Sequence, residues 1–259
     1  MDYLYRYIGF DMLVNMIQKS ALTFVLPEVW PDPAELSNYT SYVLESSTYV
    51  EAALFYSIKN KVYAQCWSKL AESDAMWRIY SYDNKALRIK VARESLEALE
   101  NVDVVDVAYS DNPTEVMEKL TRDQRFLAAW SIKRTAFAHE QEVRLISSYK
   151  FKDEQDASAH VKAFLVAHDK EWKDRFKALD SFGDTVEIAV DRIATILNAG
   201  ARVPTKTIPF GNVSDFIKGV LVHPLAPQWY VDTIQRYCDE NNIRFEGQST
   251  LYKPITAIS

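Results

Sequence analysis

Two carboxylates, Glu140 and Glu142, are the residues of this chain whose types and spacing best suit chemistry. They close the segment Trp130-Ser131-Ile132-Lys133-Arg134-Thr135-Ala136-Phe137-Ala138-His139-Glu140-Gln141-Glu142-Val143-Arg144-Leu145-Ile146, in which a Lys/Arg-rich stretch runs into Glu-x-Glu-x-Arg and then an apolar run. Residues two apart fall on one side of an extended chain. A helix would turn them roughly 200° apart. At the mouth of a strand, both acids therefore face one cleft. Paired carboxylates in a cleft serve general-base, ion-stabilising or metal chemistry. The same spacing also suits a solvated strand edge paired to Lys133, Arg134 or Arg144.

The elements that must position these acids come from a chain of 259 residues, long enough to bury a full core as one large domain or two small ones. Apolar residues make up 48% and charged residues 25%, an ordinary globular composition. Only six glycines are present, and no Gly-x-Gly-x-x-Gly or Walker-type run occurs, which excludes the usual sequence forms of Rossmann and P-loop sites. The formal charge of −6 sets a global field that repels nucleic acid and anionic membrane, although a local basic groove stays compatible with it. Cys66 and Cys238 form no disulfide framework or metal motif and fit a reduced, cytoplasmic setting. The histidines, His139, His160, His168 and His223, lack zinc-ligand spacing, so no metal site is expected. No signal peptide and no membrane-spanning run is expected.

Hydrophobic periodicity predicts alternating short strands and helices. Strands are expected at Leu4 to Tyr7, Ala21 to Leu26, Val62 to Trp67, Ala86 to Val91, Val104 to Tyr109, Val143 to Ser148, Thr185 to Val190, Gly219 to His223, Arg244 to Glu246 and Thr250 to Lys253. Phe10, Leu13, Val14 and Ile17 recur at helical spacing. Helices are also expected over about 39–58, after a Ser73 cap, from Pro113 to about Ala138, and from Pro227 to Asn241. The highly charged stretch 152–182 reads as a peripheral helical insertion. One α+β domain covering 1–259 is the simplest organisation, with a split, strongly twisted mixed sheet around a central cleft.

Four segments together resemble a bacterial domain-of-unknown-function family, number 2971. They are Leu4-Tyr5-Arg6-Tyr7 followed by Leu22-Thr23-Phe24 and Asp32-Pro33-Ala34-Glu35; Cys66-Trp67-Ser68 with Met76-Trp77-Arg78-Ile79-Tyr80 and Leu87-Arg88-Ile89; Glu140 to Ile146; and Ile217-Lys218-Gly219-Val220-Leu221-Val222 with Leu251-Tyr252. The likeness covers nearly the whole chain apart from roughly 152–182. Pro31 and Lys85-Ala86 depart from the family pattern. The layout resembles ADP-ribosyltransferases, which carry a basic or His residue on the first strand, then a hydroxyl or aromatic motif, then a catalytic Glu on a later strand.

The resemblance implies that Glu142 is the catalytic acid and that Glu140 acts on the acceptor. It implies that Arg6, Tyr7, Thr23, Trp77 and Tyr80 hold NAD, the substrate, with Trp77 and Tyr80 as an aromatic pair lining the cleft. The implied activity is transfer of ADP-ribose to a nucleic acid or protein by a toxin or phage-defence effector, with an antitoxin protein as partner and no membrane involved. The chemistry suits these residue types. Breaking the ribose–nicotinamide bond passes through a positive, oxocarbenium-like transition state, which a carboxylate stabilises. A guanidinium forks onto pyrophosphate oxygens, and an aromatic ring stacks on nicotinamide.

The residues admit other readings. Trp77 and Tyr80, at i and i+3, suit a core face equally well. Arg6 fits a solvent-facing position or a pair with Glu35 or Glu142. Asp32 and Glu35 suit a helix cap. Arg144 reads as a brace for an acid. Two further function classes remain: a metal-dependent nuclease using Asp32, Glu35, Glu140 and Glu142, and a non-catalytic module that docks a partner in an aromatic cleft.

Overall fold

In a computed structural model, the residues described are 2–30, 32, 61–120, 122–148 and 204–253, with a few isolated positions between 152 and 163. The expected helix at 39–58, the strand Thr185 to Val190 and nearly all of 152–182 lie outside them.

The chain is mixed α and β. β1 (Tyr3–Ile8) leads into α1 (Phe10–Lys19), β2 (Ala21–Val25) and, further on, β3 (Tyr63–Ser68). Next come α2 (Asp74–Tyr80), β4 (Leu87–Ala92), α3 (Arg93–Glu97), β5 (Asp103–Asp106) and β6 (Ala108–Tyr109). α4 (Pro113–Glu118), α5 (Arg122–Ala128), β7 (Ile132–Lys133), a 3₁₀ turn (Thr135–Glu140) and β8 (Glu142–Ser147) follow. β9 (Thr205–Pro209), α6 (Val213–Phe216), β10 (Ile217–Val222), α7 (Gln228–Glu240) and β11 (Phe245–Gln248) complete the described elements.

Nine strands form one open sheet in the order β11-β10-β4-β1-β3-β2-β9, with β8 beside β3 and β5 beside β8; β6 and β7 form a separate parallel pair. The sheet is mixed, since β10 and β11 are parallel while the other pairs are antiparallel. β3 organises the centre. One of its edges runs along β8 from Tyr63↔Ser147 to Ser68↔Glu142. Its other edge meets β1 only at Tyr5↔Ser68 and β2 only at Val25↔Ala64. β1 therefore leaves β3 after a single ladder position, and a crevice opens beside Arg6 to Ile8.

Period-two alternation explains the layers. Leu4, Ile8, Trp67, Val143 and Leu145 join the main core, which also takes Leu13, Met16 and Ile17 from α1 and Tyr230, Val231, Ile234 and Cys238 from α7. Tyr7 and Leu221 point to the other face and pack on Met76 and Trp77 of α2. Each fully buried aliphatic chain contributes roughly 1.5–3 kcal/mol, so the two helices fix where the sheet lies. Ser73 caps α2 as expected, its Oγ accepting from Met76 N at 3.5 Å.

Several expectations need correction. The helix expected from Pro113 to Ala138 is broken into α4, α5, β7 and the 3₁₀ turn, because Ile132 and Lys133 pair with Ala108 and Tyr109. The strand expected from Val104 to Tyr109 splits at Val107, whose N–H donates to Glu142 O at 3.0 Å. Thr250 to Lys253 is a turn, closed by Lys253 N donating to Thr250 O at 2.9 Å. β9 had no recognised signal in the sequence; it pairs with β2 along its whole length, from Ala21↔Pro209 to Val25↔Thr205.

Candidate active-site pocket

A cavity of about 200 Å³ occupies the crevice between β1 and β3. Arg6, Tyr7 and Ile8 come from β1, Met12 from α1, Cys66 and Ser68 from β3, Tyr80 from α2, and Glu140 and Glu142 from the approach to β8. Three β-elements and two helices thus supply side chains to one small volume.

The two acids reach it by a route that spacing alone does not give. Glu140 ends the 3₁₀ turn, Gln141 takes a left-handed conformation with φ 44°, and Glu142 begins β8. A left-handed non-glycine residue carries strain that its surroundings must hold. Here Ser68 Oγ donates to Glu140 O at 2.7 Å, Lys69 N donates to Gln141 O at 3.0 Å, and Glu142 N donates to the Tyr109 hydroxyl at 2.7 Å. The kink replaces the extended chain expected at Glu-x-Glu, yet both carboxylates still face one cation. Lys133 Nζ lies 2.8 Å from Glu140 Oε2 and 3.1 Å from Glu142 Oε2, with its ammonium 4.8 Å from the centre of the Phe137 ring.

Glu142 is also clamped from within its own strand. Arg144 Nε donates to Glu142 Oε1 at 2.8 Å and a terminal nitrogen donates to Oε2 at 3.1 Å. The other terminal nitrogen donates to Trp130 O at 2.7 Å, and Trp30 lies 4.1 Å from the guanidinium carbon. The Arg144 and Glu142 side chains are 1% and 3% exposed, so this pair is shielded from water. Burial by itself pushes the Glu142 carboxyl up; Arg144, by charge and hydrogen bond, and Lys133 outweigh it and hold the carboxyl below its ordinary range. Glu142 is a fixed negative charge on the pocket wall. Arg144 is the brace that its position suggested.

Neighbouring groups stay protonated. Burial, with Glu142 close by, pushes the Cys66 thiol up, and burial beside Glu140 does the same to the Tyr80 phenol. Burial pushes the Tyr7 phenol up to about 12. Arg6 is half-buried, lines the pocket and makes no hydrogen bond or ion pair among the described residues. Burial lowers the hold of its guanidinium on the proton. Neither suggested partnership of Arg6 is seen: Glu142 is held by Arg144 and Lys133, and Glu35 lies outside the described residues.

The structure brings Arg6, Tyr7, Tyr80, Glu140 and Glu142 to the pocket wall and leaves Trp77 and Thr23 off it. Tyr80 is 44% exposed and its ring lies 6.4 Å from Tyr7 at 21°. Trp77 is fully buried, edge-on to Tyr7 at 4.8 Å and to His223 at 5.2 Å, and its Nε1 donates to Glu72 at 3.2 Å. It is core and not a wall of the pocket, so the expected aromatic pair is a single ring, Tyr80. Thr23 lies on β2, opposite Thr207, with its carbonyl accepting from Gln65 Nε2 at 2.9 Å. It lines no part of the cavity. Its side chain meets Asn15 of α1 at 3.5 Å instead.

Sequence reasoning passed over Cys66, Ser68 and Tyr109. Cys66 and Ser68 carried a usable signal, since two polar residues at i and i+2 of an apolar strand mark a face that meets something other than core. Tyr109 carried none. Asp32 is held by Arg134, at 3.0 and 3.2 Å. Among the described residues no cluster of three or more His, Cys, Asp or Glu is arranged to hold a metal ion. Nor is any helix among them long and apolar enough to cross a membrane. Compared with known protein families, with curated proteins and with solved structures, the chain matches none.

Proposed function

We propose that this pocket binds NAD and that the protein transfers ADP-ribose from it to a macromolecular acceptor in the cytoplasm, as a toxin or defence effector held in check by an antitoxin protein. The resemblance to family 2971 and to the ADP-ribosyltransferase layout supplies the class of chemistry. The observation that carries it to these residues is Glu142, a buried carboxylate kept charged by Arg144 and Lys133 on the wall of a pocket that Arg6 and Tyr80 also line.

The residues fit the substrate. A cavity of about 200 Å³ is smaller than the roughly 300–1,000 Å³ pockets that enclose a whole drug-sized ligand. It suits the reacting nicotinamide–ribose end, with the adenylate end outside. Tyr80 offers a ring face for nicotinamide, and Arg6 a guanidinium for a phosphate oxygen. Positive charge develops on the ribose as nicotinamide leaves, and Glu142 is already in place to stabilise it without reorganisation. Glu140 stands beside it to receive or orient the acceptor. Lys133, which bridges both acids, sits where a divalent cation would have to bridge them, and Asp32 is engaged elsewhere. That favours this reading over the nuclease alternative.

The test is mass spectrometry of lysate protein and nucleic acid incubated with the enzyme and labelled NAD, with nicotinamide release followed alongside. Label on an acceptor that is absent with Glu142→Gln supports the proposal. No label and no nicotinamide release from the folded wild-type protein refutes it.

A further inference from the structure

We infer that Lys133, beside Tyr109 on the β6–β7 ladder, is a positioning residue that gives the two acids different tasks: Glu142 is held as a fixed charge, and Glu140 is aimed with one oxygen open to the acceptor. The inference rests on the reading of the pocket as a site of transfer from NAD.

The argument starts from the ladder. Ala108 pairs with Ile132 and Tyr109 with Lys133, so the two side chains stand side by side. Ala108 N donates to Ser131 O at 2.8 Å and Ser110 N donates to Lys133 O at 2.9 Å, which fixes the register. From this short platform Tyr109 accepts the Glu142 N–H at 2.7 Å, and Lys133 reaches both carboxylates. One element thus holds the backbone of one acid and the side chains of both.

The partners are unequal. Glu142 receives Arg144 Nε on Oε1, and Lys133 together with a terminal Arg144 nitrogen on Oε2. Glu140 receives Lys133 on Oε2 alone, and its Oε1 accepts no hydrogen bond among the described residues. A carboxylate with three charged donors has both oxygens engaged, and one with an open lone pair beside a cavity can still accept a hydrogen bond from a bound group. The charged and titratable groups around the pair come from every neighbouring element: Arg6 on β1, Cys66 on β3, Tyr80 on α2, Tyr109 on β6, Lys133 on β7 and Arg144 on β8. Of the cations among these, Lys133 alone is within hydrogen-bond reach of Glu140. Removing it frees the Glu140 side chain to swing while Arg144 still grips Glu142. The loss should therefore fall on transfer to the acceptor more than on release of nicotinamide.

The experiment uses the full chain with glutamate labelled with carbon-13 at the side-chain carboxyl, the two resonances being assigned by their loss in Glu140→Gln and Glu142→Gln. Wild type, Lys133→Met, Lys133→Arg and Tyr109→Phe are titrated and assayed for nicotinamide release and labelled transfer. Lys133→Met should lower the ratio of transfer to release by about tenfold and move the Glu142 titration upward; Lys133→Arg should restore most of both. A residue that only supported the fold would lower both rates together and leave the titration where it was. Tyr109→Phe, which removes only the acceptor of the Glu142 N–H, is the comparison for such a supporting role and should lower both rates together without moving the Glu142 titration. If Lys133→Met fails to fold, Lys133→Gln removes the charge while keeping a donor, and should still move the Glu142 titration upward. An unchanged ratio or an unmoved Glu142 titration in the charge-removing variant overturns the inference. If the wild-type protein releases no nicotinamide, the NAD reading fails by itself, and the carboxyl titration still decides whether Lys133 sets the charge of Glu142.

Discussion

Replacing Glu142 by Gln should damage stability and turnover by separable amounts. The carboxylate takes three charge-assisted hydrogen bonds, two from Arg144 and one from Lys133. An amide oxygen can keep the Arg144 Nε bond at one end. At the other end the amide NH₂ would face two donors, so two bonds are lost and the Arg144 charge is left buried without a counter-charge. Hydrogen bonds to charged groups are worth about 1.5–3 kcal/mol each, and breaking a buried ion pair on one side costs roughly 3–5 kcal/mol. Both estimates meet near 3–5 kcal/mol. Because Glu142 is 4% exposed, screening by water does not reduce this much. At roughly 2–4 °C per kcal/mol for a chain of this size, the melting midpoint should fall by about 6–20 °C. Glu140→Gln loses one bond to Lys133, which keeps Glu142, and should fall by about half as much or less. Turnover of NAD by Glu142→Gln should drop on the order of a hundredfold, measured well below its melting midpoint. The assay is calorimetry on both variants with near-ultraviolet dichroism at 20 °C to show the native fold. A Glu142→Gln midpoint within about 2 °C of wild type, or no lower than that of Glu140→Gln, would refute the claim that this carboxylate is the charge around which the pocket is built.

Arg6→Gln breaks no hydrogen bond or ion pair among the described residues, so its melting midpoint should match wild type, while NAD binding by calorimetry should weaken by about tenfold or more; a large loss of stability with unchanged affinity would place Arg6 in the scaffold instead. Trp77→Phe and Tyr80→Ala should behave oppositely. The first removes the indole hydrogen bond to Glu72, to which Ser249 Oγ still donates, and costs about 1–3 kcal/mol in urea unfolding with little change in NAD affinity, and the second weakens NAD binding with little change in stability, a reversal sinking the assignment of Tyr80 over Trp77 to the pocket. His223 is buried against Trp77 with Nδ1 accepting from Leu225 N at 3.0 Å, and burial lowers its pKa from 6.5. A folded-state pKa below the unfolded one gives stability that is fully present above pH 6.5 and is lost as the pH falls, because only the unfolded chain then takes up the proton. Urea midpoints should therefore decline from pH 7.5 to 5.5 in wild type and decline less in His223→Asn, and equal slopes in the two would rule the histidine out as the cause.

Much of the fold was legible in the sequence because the deciding forces there are local. Alternation marked β1, β2, β3, β4 and β8 within a residue or two, and the Phe10, Leu13, Ile17 spacing marked α1. The Glu-x-Glu-x-Arg run marked the acids and a brace, since Glu142 and Arg144, i and i+2 of β8, share a face wherever the strand lies. Other features belong to tertiary structure alone. Residues 113 to 138 have helical periodicity throughout, yet Ile132 and Lys133 leave it to pair with β6, a gain no local window contains. Trp77 and Tyr80 sit three apart on one helix face and look alike in sequence; Trp77 is buried because Tyr7 and His223 close over it, and Tyr80 reaches the pocket because it stands one turn further on. Arg6 meets a cavity because β1 and β3 part after Tyr5↔Ser68. The two acids converge on Lys133 through the left-handed Gln141, which Ser68, Lys69 and Tyr109 hold from distant strands. The sequence determined which groups could do chemistry, since that is a property of side-chain type and local period. Their convergence on one pocket was decided by strand pairing across long stretches of chain, where the contact energy depends on partners that no local pattern names.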